Sequence, residues 1–220
     1  MAMEKILSFL NQIRRNNNRE WFEKNKNKYL EAKQLFEDFL EALYKELLKF
    51  DESLAGLNPR KQAFRIYRDV RFSKDKRPYK VNMGAAFSPH GKMEQEPGYY
   101  IHLEPGNCFV AGGLYMPSAE NLARVRQEID YNGEVLMQIL RSRNFRKYFS
   151  GLDDFDKLKT APKGYAKDHP MIDLLRHRSF VVSYAFSDAE VNHKMFVKNV
   201  AAVCRAIKPF NDFLKTAVDE

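Results

Sequence analysis

GYYIHLEPGNCFVAGGLYMP, residues 98–117, is the stretch on which the fold assignment turns. Pro105-Gly106 suits the two central positions of a type II turn, because proline presets the first φ and glycine accepts the positive φ of the second. Taking Glu104 and Asn107 as the turn ends sets the register. Leu103 then faces Cys108, His102 faces Phe109, Ile101 faces Val110 and Tyr100 faces Ala111. Successive strand side chains point to opposite faces. Tyr99, Ile101, Leu103, Cys108, Val110 and Leu114 therefore share an apolar, core-facing side. Tyr100, His102, Phe109, Ala111 and Gly113 share the other. Gly112-Gly113 within a strand signals a bulge or a close backbone approach.

Working outward, residues 82–88 and 179–186 have strand character. Residues 64–72 also have a period of two: Phe64, Ile66, Val70 and Phe72 on one face, interrupted by Arg68, and Arg65, Tyr67, Asp69 and Arg71 on the other. The ends of the chain switch to helical spacing. Residues 4–14 suit a short helix. Asn17 with Glu20 resembles a capping box that starts the next one, after which Trp21 and Phe22 enter the core. Tyr29, Phe36, Leu40, Leu43, Leu47 and Phe50 form one stripe of a long helix over about 27–50. Ser118 caps a helix striped by Leu122, Val125 and Ile129. Further helices are expected over about 132–142 and 143–149, and residues 150–166 are loop-rich, with room for one short strand. His169-Pro170 starts a helix. Ser187 and Glu190 cap the last one, striped by Phe196, Val200, Val203 and Ile207, which Pro209 ends or kinks. Strands in the middle and helices at both ends predict an α+β single domain over residues 1–220, with a mainly antiparallel central sheet.

At 220 residues, 44% hydrophobic and 13% aromatic, the chain can build a real core, and 30% charged residues with few Gly and Pro exclude a disordered protein. Cys108 and Cys204 are too few for a disulfide framework and lack metal spacing, so both are expected as small buried residues. No apolar run reaches the length of a membrane span, and Met1 to Lys5 lacks a signal-peptide core, so the expectation is a cytoplasmic protein with no membrane partner.

The formal charge is +8, and nearly all of the excess lies in RKQAFRIYRDVRFSKDKRPYK, residues 60–80, with nine basic residues against two acidic ones. Arginine carries a planar fork of donors that fits phosphate or carboxylate in two places at once. Arg65, Tyr67 and Arg71 share a strand face, and Lys74, Lys76, Arg77 and Lys80 follow in a loop. The candidate anion site is Arg65, Tyr67, Arg71, Lys74, Tyr79 and Lys80. Two other arrangements would account for the same charge. One is a solvated edge strand. The other is ion pairing with helix acids such as Glu37, Asp38 or Glu41. Arg68, on an apolar face, requires an acid partner or a bulge.

His102 is the catalytic candidate, an imidazole on the polar strand face beside Tyr100 and next to the small residues Ala111 and Gly113. A hydrogen-bonded histidine packed against a covering helix is the other reading, and the one favoured. His169, Asp173 and His177 follow helical spacing, but no H-E-x-x-H or cysteine pair supports a metal there. Nothing calls for a cofactor. There is no phosphate-binding glycine loop, nucleophile elbow, kinase signature, RNA-recognition motif or zinc finger.

Five segments, NNREWFEKNKNKY (17–29), RIYRDVRFSKDKRPYK (65–80), GYYIHLEPG (98–106), FVAGGLYMP (109–117) and APKGYAKDHPMIDLLRHRSF (161–180), resemble in that order domain-of-unknown-function family 2461 (DUF2461), found in bacteria and fungi. The resemblance implies one domain over nearly the whole chain. It brings no activity, substrate, cofactor or catalytic residue with it. The sequence thus leads to a basic site for an anionic small molecule bearing phosphate or carboxylate, with His102 as acid–base if the protein is an enzyme. The alternative is a module for nucleic acid or a protein partner.

Overall fold

The computed structural model describes residues 2–91 and 95–219. Four strands, β1 (Met83–Phe87), β2 (Gly98–Leu103), β3 (Cys108–Leu114) and β4 (Phe180–Phe186), form one antiparallel sheet in sequence order. The β2–β3 register is the one the turn dictates: Tyr100 pairs with Ala111, Ile101 with Val110 and His102 with Phe109. Gly106 takes φ +77° and Asn107 N–H donates to Glu104 O at 2.8 Å, which closes the turn.

The apolar sheet face lies beneath helices. Ile101, Leu103, Cys108, Val110 and Leu114 are almost fully buried. The last helix, α8 (Phe196–Asp219), rides on β3 so closely that a Cβ on Gly112 would come within 2.5 Å of Ile207 Cγ2. The long helices α3 (Lys26–Leu47) and α4 (Ala119–Arg141) pack against α8, and α1 (Ala2–Arg15) packs against α3. Short helices complete the chain: α2 (Arg19–Lys24), α5 (Arg143–Arg146), α6 (Ile172–Leu175) and α7 (Asp188–Val191). The result is an α+β fold around one core. Among the described residues no helix is long and apolar enough to cross a membrane.

Several local expectations are corrected. Residues 64–72 are not a strand. Phe64 N–H reaches Gly84 O, but Lys80 N–H reaches Ile66 O and Arg68 N–H reaches Pro78 O, so the pairing slips by two residues between the two ends. The alternation survives over 65–71, where the odd-numbered residues are exposed and the even-numbered ones are not, and fails at its ends. Ile66 stays in the core, while Phe64 is 36% exposed and Phe72 is 96% exposed. The segment is one leg of an irregular two-legged arm whose tip carries charged residues and Phe72, and it touches the sheet through an isolated bridge between Ala63 and Ala85.

Asn17 caps no helix. Asn18 caps α2, accepting from Trp21 N–H, and Asn17 instead clamps the arm: its side chain donates to Tyr79 O and accepts from Tyr79 N–H. Residues 119–141 run as two helical stretches that meet, as expected, at a kink: Asn132 has non-helical φ −123° and ψ 24°. The Ser187–Glu190 capping box is real but serves one-turn α7; the chain breaks at 192–195 before α8 begins. α6 starts at Ile172, two residues beyond Pro170, because His169 Nδ1 is taken by Met171 N–H. α8 continues through Pro209 to Asp219. Residues 150–166 contain no strand.

Candidate functional site

The outward face of the sheet carries a continuous polar chain. Tyr100, His102 and Glu104 lie two residues apart along β2 and its turn, so the strand period stacks them on one side. Tyr100 Oη lies 2.9 Å from His102 Nδ1, and Asn82 Nδ2 lies 3.4 Å from the same atom. The Asn82 amide nitrogen can only donate, which makes Nδ1 an acceptor and assigns the ring proton to Nε2, facing Glu104 Oε2 at 3.1 Å. Glu104 also accepts from Arg14 of α1 and from Asn107. Burial acts to raise the Glu104 carboxyl, but the hydrogen bonds from His102 and Asn107, with the nearby charges, outweigh it and hold the group below its usual range. Burial pushes the Tyr100 hydroxyl up to about 12, so it stays protonated near neutral pH.

His102 stacks on Phe109, with ring centroids 4.6 Å apart, and only 13% of its side chain is exposed. Both ring nitrogens are engaged. The imidazole therefore links Tyr100 to Glu104, and no nitrogen is left over for a ligand without rearrangement. The small neighbour that matters is Gly84: the Tyr100 ring lies across it, and a Cβ there would meet Tyr100 Oη at 2.8 Å.

The basic arm adjoins this face at its root. The Phe64 ring is 6.2 Å from that of Tyr100, and Lys80 Nζ lies 5.5 Å from the Phe64 centroid. Of the expected anion site, the structure brings some members to the surface and withdraws others. Arg65 and Lys74 are exposed and make no ion pair among the described residues. Tyr67 is 46% exposed. Tyr79 is buried, its ring stacked on Phe22 at 4.0 Å, because the Asn17 clamp draws its backbone inward; it is a core residue and not part of an open cleft. Arg71 is exposed like Arg65, although no continuous strand joins the two. It is bound in two places to Asp69 and is 77% exposed.

The other arginines of the segment are paired as well. Arg68 meets Asp75 at 2.7 Å and Arg77 O at 3.0 Å, which resolves its position on an apolar face. Arg77 pairs with Asp75, whose carboxyl is held far below its usual range, first by the Arg77 hydrogen bonds. Arg60 alone meets the helix acids Glu37, Asp38 and Glu41. From Lys61 to Lys80 the arm still holds eight basic residues against two acidic ones.

Among the described residues no group of three or more histidines, cysteines or acids is placed to hold a metal. His169 instead bonds Asp130 at 2.8 Å. Cys108 and Cys204 are buried, and burial raises the Cys108 thiol to about 11.

Period-two spacing could have singled out Glu104 as a partner of His102; assigning it to the turn concealed that. Arg14 could not have been found, because nothing local to α1 marks its contact with the hairpin. No curated protein and no solved structure matches the chain. The sequence profile of a family described as conserved hypothetical protein (DUF2461) matches residues 5–213. A match over nearly the whole length makes this chain a member of the DUF2461 family.

Proposed function

We propose that this protein binds an anionic ligand, bearing phosphate or carboxylate, where the root of the basic arm meets the outward sheet face. The observation that carries this reading is an exposed arm, Lys61 to Lys80, with eight basic residues against two acidic ones. Arg65 and Lys74 make no ion pair among the described residues, and Lys80 lies beside Phe64 at the edge of the Tyr100–His102 face. Like charges gathered on one arm repel, and an anion relieves that repulsion. Tyr79 drops out of the site; Arg65, Tyr67, Arg71, Lys74 and Lys80 remain.

Titration calorimetry with inorganic tripolyphosphate at low ionic strength tests the reading. Binding to wild type, weakened about tenfold or more in Arg65→Gln/Lys74→Gln, is expected. No binding to wild type, or undiminished binding to the double variant, refutes it.

The Tyr100–His102–Glu104 chain supports a second reading, acid–base chemistry on the bound anion. A hydroxyl, an imidazole and an orienting carboxylate in series are the parts of an activated hydroxyl. Burial leaves the Tyr100 hydroxyl a weak acid, so its oxygen would act only as His102 Nδ1, which accepts its hydrogen bond, takes the proton. This role predicts that any phosphate-ester hydrolysis disappears in His102→Asn while tripolyphosphate binding persists.

A further inference from the structure

We propose that the arm binds single-stranded nucleic acid, with Phe72 stacking on a base and the neighbouring arginines holding phosphates. This rests on the anion reading above and names the anion. Phe72, at the arm's tip, is 96% exposed, with Arg71 placed 5.8 Å from its ring. Tyr67 and Phe64 are also exposed further down the same leg. The aromatics are spaced singly, with Arg65 between the first pair and Arg71 beside the last. A single strand likewise presents bases and phosphates in alternation. Stacking needs one ring per base and tolerates any sequence. A lipid surface would instead favour apolar side chains gathered on one face.

Two matching devices prepare the arginines. In Asp69-Val70-Arg71, Asp69 Oδ1 accepts from both the backbone N–H and Nε of Arg71, and Oδ2 accepts from Nη2 at 2.7 Å. Asp75-Lys76-Arg77 repeats the same bonds, again with 2.7 Å at Nη2. Each aspartate fixes one edge of a guanidinium fork and leaves its Nη1 without a hydrogen bond among the described residues. A fork fixed in advance loses less freedom on binding phosphate. Lys74 lies between the two devices.

Fluorescence anisotropy at low salt decides it, using a labelled short oligothymidylate and an abasic strand with the same number of phosphates. Wild type is expected to bind oligothymidylate about tenfold more tightly than the abasic strand, the scale of one stacked base. Phe72→Ala should remove that difference and leave abasic binding and melting temperature unchanged, since the ring is in solvent. Equal affinity of wild type for the two strands overturns the proposal, as does an unaffected Phe72→Ala. Phe72-dependent binding to phosphatidylserine vesicles without oligothymidylate binding overturns it in favour of a lipid surface. Tripolyphosphate binding without oligonucleotide binding overturns it while leaving the anion reading standing; if neither binds, both fall.

Discussion

At the scale of single residues, His177 offers the sharpest handle on stability. It is buried, and its Nδ1 has no hydrogen-bond partner. Burial first, then the charge of Lys157, lowers its affinity for a proton, against the opposing pull of Asp156 and Asp173. A base whose folded pKa is depressed binds more protons when unfolded. Stability is therefore full above the unfolded value of about 6.5 and is lost as pH falls below it. Wild type should lose melting temperature across that window faster than His177→Gln; equal slopes would contradict the assignment. Gly113, by contrast, was legible. Its φ is +116°, and a Cβ would fall 2.0 Å from Phe180 O, which is the close backbone approach that paired glycines in a strand announce. The Tyr100–His102–Glu104 alignment was half legible, since strand period places the three together but cannot supply Arg14 from a helix some ninety residues away.

At the scale of elements, the hairpin and the helical stripes follow from local chemistry, and the arm does not. Pro105-Gly106, Ser118 and the apolar rows of α3 and α8 each act within a few residues of themselves. The arm alternates like a strand, yet its ladder slips by two residues between Phe64 and Ile66, and tertiary ties set its course instead. The Asn17 clamp is the principal one, with both bonds of its amide spent on Tyr79. Asn17→Ala should cost about 1 to 3 kcal/mol in urea unfolding, the net worth of two hydrogen bonds whose loss takes the partner from both the N–H and the C=O of Tyr79. It should also speed proteolysis after the arm's lysines and arginines. An unchanged midpoint with unchanged cleavage would show that Phe22 stacking alone holds Tyr79. Pairs of neighbouring asparagines conceal such ties: Asn17 and Asn18 are equally good caps by composition, and only the fold separates their tasks.

At the scale of the molecule, the helices cover one face of a four-stranded sheet, and the basic arm stands at the edge of the other. Ile101, Leu103, Val110 and Leu114 on the apolar face lie in the core, so substitutions there report on folding. Charge at this scale was visible in composition, whereas its partition was not: Arg60 goes to helix acids, Arg68, Arg71 and Arg77 go to aspartates of the arm, and Arg65 and Lys74 stay in solvent. The measurement that bears most directly on anion binding is thermal unfolding at low ionic strength with and without tripolyphosphate. A ligand at a hundred times its dissociation constant adds about 2.7 kcal/mol to the folded state. For a chain of this length that is a rise of roughly 5 to 10 °C. The account predicts that rise in wild type and its loss in Arg65→Gln/Lys74→Gln; a wild-type melting temperature that tripolyphosphate leaves unmoved would contradict it.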